Sequence, residues 1–155
     1  MKYFLGFILL LISLSSAGQI VQGDDGLYYD ENDNPYTGIY KEYYADGTVR
    51  TEMTLTNGMK NGQVKINFPD GRIHEIRSYR FNRMDGKWET WSKKGIKIAE
   101  AHYLNGHKHG KWLIRDDNGV LRYDMSYHHG RKTGTWKIYD ANGKLLSEKK
   151  FDKEP

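Results

Sequence analysis

Along most of this chain, apolar and polar residues alternate in short runs that end on glycine, as in GKWETWSKKG (residues 86–95) and its near copy GKWLIRDDNG from Gly110. Alternation at period two predicts strands with one apolar and one polar face. Gly38, Gly62, Gly86, Gly110 and Gly134 follow one another at 24 residues, as do Gly47, Gly71, Gly95, Gly119 and Gly143. A third series, Gly58, Gly106 and Gly130, keeps this period with Asn82 in the missing place. A fixed period of this size marks an array in which each unit is one supersecondary element. The units run 38–61, 62–85, 86–109, 110–133 and 134–155. The stretch GDDGLYYDENDNPYT shares their character without the full pattern, so residues 19–37 are expected to cap the array.

The middle glycine of each unit follows Asp46, Asp70, Lys94, Asn118 or Asn142. Asp-Gly and Asn-Gly accept the positive φ values of a two-residue type I′ turn, so each unit is predicted to be a β-hairpin turning at Gly47, Gly71, Gly95, Gly119 or Gly143. With Asp46-Gly47 as the loop, Ala45 pairs with Thr48, Tyr44 with Val49 and Tyr40 with Met53. The same register pairs Phe68 with Ile73, Trp88 with Ala101 and Trp112 with Met125. One face then collects a structural aromatic column, Tyr40, Trp88, Trp112 and Trp136, together with Tyr44, Val64, Ile66, Phe68, Ile114 and Ile138. From the return strands the same face receives Val49, Met53, Leu55, Ile73, Tyr79, Tyr103, Leu121, Met125, Tyr127, Leu145 and Phe151. The opposite face is charged, with Lys41, Glu52, Glu89, Glu100 and Lys137 among others, and is interrupted by Tyr43, Trp91 and Tyr139. Those three exposed aromatics are the candidate binding surface. The expected fold is all-β, an extended antiparallel sheet of about five stacked 24-residue β-hairpin repeats.

The glycines and aromatics of GKWETWSKKGIKIAEAHYLNGHKHG and GTWKIYDANGKLLSEKKF resemble the variant MORN repeat of bacterial proteins, often labelled the YwqK antitoxin-like family. The shared pattern is G-x-W-x-x-[WY]-x-x-x-G, a second strand, an aromatic and N-G-x-x-x-G, and it extends over Thr37 to Phe151. Val64 and Asn67 depart from it in the second unit, Arg115 in the fourth, and Asn82 stands for a glycine. The resemblance implies a sheet of stacked hairpins acting as an interaction scaffold, with no catalytic residue.

The first segment, MKYFLGFILLLISLSSAGQ, has an early Lys2, an apolar run from Phe4 to Leu14 and small residues ending at Ala17. This is the pattern of a secretory signal peptide over 1–18, shorter than a membrane span. The expected location is therefore periplasmic or secreted. No cysteine is present, which excludes disulfides and thiolate metal sites. The net charge of +4 is unevenly spread: 19–60 has eight acids and three bases, whereas 61–155 has twelve acids and twenty bases. That balance suits an acidic partner for the later units.

Candidate chemistry is sparse. His102, His107, His109, His128 and His129 fall within 28 residues, and His107-x-His109 could supply two metal ligands. No carboxylate at matching repeat positions completes such a site, so these read as polar loop histidines, and no metal or cofactor is expected. Ser78, Ser92, Ser126 and Ser147 lack a nucleophile motif, and Glu52, Glu100 and Glu148 recur at repeat distance as cross-strand ion-pair partners rather than a catalytic pair. The chain is therefore expected not to be an enzyme. Phosphate loops are not indicated, and nucleic acid is not an expected partner. A single-layer sheet of about ten strands at ~4.8 Å spacing cannot bury its own apolar face. A protein partner, such as one met in an immunity role, or a homo-oligomer would cover it. A surface glycan stacked on the Trp column and an anionic membrane surface are the alternatives.

Overall fold

The computed structural model describes residues 19–151, and the expected leader over 1–18 lies outside the described residues. Two short strands come first, β1 (Val21–Gln22) and β2 (Tyr28–Tyr29). The main series is β3 (Gly38–Tyr43), β4 (Val49–Thr56), β5 (Met59–Asn67), β6 (Ile73–Arg80), β7 (Arg83–Trp91) and β8 (Lys97–Leu104). It continues through β9 (His107–Lys108), β10 (Gly110–Arg115), β11 (Leu121–His128), β12 (Arg131–Tyr139) and β13 (Leu145–Phe151). The fold is all-β, and no helix occurs among the described residues. Strands β3 to β13 form one antiparallel sheet in chain order, open at β3 and at β13. Strands β9 and β10 both pair with β8 and stand where β5, β7 and β12 run uninterrupted; the break is at His109.

Mid-strand registers follow the alternation: Tyr40 faces Met53, Trp88 faces Ala101 and Trp112 faces Met125. The hairpin turns differ from the expected two-residue loops. Gly47 N–H donates to Tyr44 O at 3.0 Å and Tyr44 N–H to Thr48 O at 2.8 Å, closing a three-residue loop. Gly47 alone among its residues has positive φ, 85°. This is a type I turn ended by a glycine bulge, which asks for one left-handed residue where type I′ asks for two. The expected pairs Ala45–Thr48, Tyr44–Val49 and Phe68–Ile73 therefore do not form; Tyr43 faces Val49 and Asn67 faces Ile73.

An extra residue in each return strand then restores the register. It is Arg50 in the first hairpin, and His74, Ile98, Arg122 and Leu146 in the next four. A bulge of this kind re-aims the side chains beyond it. Because directly opposed residues share a face, Val49, Ile73, Leu121 and Leu145 lie with Tyr43, Asn67, Arg115 and Tyr139, not on the Trp face where strict alternation puts them.

Two-residue turns with positive φ at both positions do occur, but between hairpins. They are Asn57-Gly58 (48°, 74°), Phe81-Asn82 (45°, 64°), Asn105-Gly106 (49°, 86°) and His129-Gly130 (46°, 86°). Thr56 faces Met59, Arg80 faces Arg83, Leu104 faces His107 and His128 faces Arg131 across them. Each turn is docked on the previous one: the N–H groups of Asn82, Gly106 and Gly130 donate to Lys60 O, Met84 O and Lys108 O at 2.9, 2.7 and 2.7 Å.

The buried core lies at the N-terminal end. Tyr28, Met53, Leu55 and Val64 form it, with Ile20, Tyr36, Tyr40, Ile66 and Tyr79 packed around. Residues 19–37 lie over this part of the sheet: Tyr28 N–H donates to Gly58 O at 2.9 Å, Gly58 N–H to Tyr36 O at 2.8 Å, and the Tyr28 ring meets Tyr40 at 5.2 Å.

Candidate functional site

Beyond the core the same face becomes an aromatic ladder. Tyr79, Trp88, Tyr103, Trp112, Tyr127, Trp136 and Phe151 follow one another with centroid separations of 4.8 to 5.6 Å. Their planes are inclined by 49° to 64°, from tilted to edge-to-face, which avoids the face-to-face stacking that aromatic quadrupoles disfavour. Tyrosines interleave the Trp column, because each return strand contributes its own aromatic between two tryptophans. Burial raises the phenol pKa values of Tyr103 and Tyr127, as the packing of these rings demands.

A glycine bulge positions each of the three ladder tryptophans. Arg77 faces Trp88 while Tyr79 faces Met84, which leaves Ser78 opposite three residues centred on Gly86. Gly86 has φ 97°, and a Cβ there would come within 3.2 Å of Ser78 Cβ. The Ser78 carbonyl accepts the indole Nε1–H of Trp88 at 3.1 Å; His102 O and Ser126 O do the same for Trp112 and Trp136, at 3.1 and 2.9 Å. The recurring Gly-x-Trp is thus one device: the glycine permits a bulge, and the bulge presents a carbonyl to the indole.

Lysines border the ladder. Lys108 Nζ lies 4.5 Å from the Trp112 ring centroid and 5.0 Å from Tyr127, and Lys132 Nζ lies 4.7 Å from Trp136 and 5.5 Å from Phe151. Beside the rings runs an exposed apolar row. Tyr123 faces Ile114 on one side and Ile138 on the other, and the three are 42, 37 and 40 % exposed. Tyr123 and Ile138 also line a depression of about 320 Å³ with Met125, Trp136, Lys132 and Phe151. Tyr123 was not among the residues singled out in the sequence, although the Trp112–Met125 register already sets it opposite Ile114 on this face.

The opposite face holds the three aromatics singled out in the sequence. Tyr43 is 57 % exposed, while Trp91 and Tyr139 are half-buried. They sit two hairpins apart and form no cluster. Lys97 Nζ lies 5.5 Å from the Trp91 ring, and the backbone carbonyls of Trp91 and Tyr139 are held by His74 Nδ1 at 3.1 Å and Arg122 Nε at 3.0 Å. Around Trp91 the charges pair: Lys87 contacts Glu89 at 2.9 Å and Glu100 at 3.1 Å, and Lys97 contacts both carboxylates. The hydrogen bond from Lys87 leads the interactions holding the Glu100 carboxyl below its ordinary value. Glu52 accepts from Lys41 at 3.0 Å in the same manner.

Residues 36–57, 108–129 and 132–153 each match the MORN repeat variant. The three matches begin two residues ahead of Gly38, Gly110 and Gly134, so they share one phase of the 24-residue period. The chain thus carries MORN repeat variants in its first, fourth and fifth hairpins, and the second and third continue the same register between them. No curated protein matches the chain.

Proposed function

We propose that this protein is a non-catalytic scaffold that binds a protein partner through the ladder face of its fourth and fifth hairpins. The observation that carries this reading is the exposed row Ile114–Tyr123–Ile138 beside Trp112 and Trp136, with lysines along its border. Apolar surface rimmed by charge marks docking sites. The excess of bases after residue 60 favours an acidic partner. A narrower form of the proposal follows from the resemblance to the YwqK antitoxin-like family and from the leader pattern: the partner is a toxin met outside the cytoplasm. Sugar stacking on the tryptophans is less favoured, because Lys108 and Lys132 lie over the rings a sugar would use.

The test is affinity capture from the native envelope and secreted fraction, with the protein and two variants as bait. A stoichiometric protein retained by wild type and lost with Tyr123→Ser/Ile138→Ser supports the ladder face. Loss only with Trp91→Ala/Tyr139→Ala moves the site to the opposite face. Recovery of no protein overturns the reading in favour of glycan, anionic lipid or self-association.

A further inference from the structure

One ring nitrogen from each of His109, His128 and His129 lies within 4.8 Å of the other two, at the junction between the fourth and fifth hairpins. Their ring centroids are 4.6 to 5.2 Å apart. The repeat explains why these three meet. At three junctions the fold brings the residue before a unit's first glycine against the inter-hairpin turn twenty residues later. At two of them an acceptor side chain caps a turn amide: Thr37 Oγ1 takes the Asn57 N–H at 2.8 Å, and Asp85 Oδ2 takes the Asn105 N–H at 3.1 Å. At the His109 junction the corresponding contact, His129 N–H to His109 Nδ1, is stretched to 3.5 Å. The residues equivalent to His109, His128 and His129 are Thr37, Thr56 and Asn57; Asn61, Arg80 and Phe81; and Asp85, Leu104 and Asn105. Histidine fills all three places at one junction, where the contact is the longest of the three and the strand breaks between β9 and β10.

We propose that His109, His128 and His129 form a binding site for one divalent transition-metal ion of the imidazole-preferring class, with Zn²⁺ as its representative. Three neutral imidazoles suit zinc, copper or nickel, and they leave at least one coordination position to water. Zinc–nitrogen bonds of about 2.0–2.1 Å in tetrahedral array set the nitrogens roughly 3.4 Å apart, so the cluster contracts by about 1.4 Å at most. His128 and His129 are exposed and can supply that movement by side-chain rotation. His109 and His128 also line a depression of about 370 Å³ with Ser126 and Thr133, open to solvent for the ion's approach. The lysine in that depression, Lys111, is paired with Asp124 at 2.6 Å, which offsets its repulsion of a cation. The His107-x-His109 pairing suggested by spacing is not the cluster; His109 is joined instead by two residues from the next turn.

The decisive experiment titrates the tag-free full chain with ZnCl2 by calorimetry, following the histidine ring signals by NMR. Saturation at one equivalent per chain is expected, with the three rings shifting together. The variant His109→Asp/His128→Leu/His129→Asn installs the residue set of the preceding junction, Asp85, Leu104 and Asn105, and is therefore expected to fold. It should bind Zn²⁺ about tenfold more weakly or worse, while His74→Asn keeps wild-type affinity. Absence of binding, or equal weakening in the His74→Asn control, overturns the site.

Discussion

The two ends of this sheet share one repeat and meet solvent in different ways. At the N-terminal end, residues 19–37 lie across the ladder face and leave Leu55 1 % exposed and Tyr28, Met53 and Val64 each 5 % exposed. At the C-terminal end the equivalent face has no described segment over it, and its rings stay half-buried under lysine side chains. The first end is held by ordinary apolar burial. The second relies on a chain of ring contacts, indole hydrogen bonds and cation–π contacts, each of which leaves part of the ring in water. A repeat array has only neighbour contacts, so a covered end and an open end can coexist in one cooperative sheet. The covered end is held by burial, and the open end keeps its rings partly in solvent.

Four substitutions break or sharpen this contrast. Tyr28→Ala removes a ring buried at the covered end and should cost about 3–5 kcal/mol, read as a shift in the denaturant midpoint. Trp112→Phe keeps a ring in the ladder but loses the bond to His102 O, so a loss of about 1 kcal/mol is expected from the same melts. An effect for Trp112→Phe as large as for Tyr28→Ala would show that the open end is no less tightly packed than the covered one. Phe81→Asn acts in the opposite direction. Phe81 has φ 45° in a turn whose counterparts are Asn57 and Asn105, and its side chain is 50 % exposed, so relief of left-handed strain should raise stability by about 1 kcal/mol.

The smallest effect belongs to the charged face. Glu100 has its folded pKa lowered, so its contribution is present above the ordinary glutamate value and is lost as pH falls through the folded one. Glu100→Gln should cost less than about 1 kcal/mol at neutral pH. The gap from wild type should close in melts run at acidic pH, and a gap that persists there would assign the loss to packing instead of charge.

Several of these features were legible in the chain. The period of 24, the hairpin in each unit, the mid-strand pairs such as Trp112 with Met125, and the Trp column all follow from glycine spacing and alternation. The candidate surfaces were only partly legible. The His109–His128–His129 cluster escaped because it depends on contact between chain positions about twenty apart, whereas Tyr123 follows from the Trp112–Met125 register and was passed over. An Asp-Gly pair suits both a type I′ turn and a type I turn with a bulge, and local sequence does not separate them.

The sequence by itself determined the repeat, the strands and which residues sit opposite at mid-strand, because period-two alternation and the demand for glycine are local properties of the backbone. The tertiary structure alone decided where the bulges fall, which turn is type I′, and that residues 19–37 lie across the ladder face. Those outcomes depend on hydrogen bonds between neighbouring hairpins: moving the bulge by one residue sends a side chain to the other face, and docking one turn on the previous one brings His109 to His129.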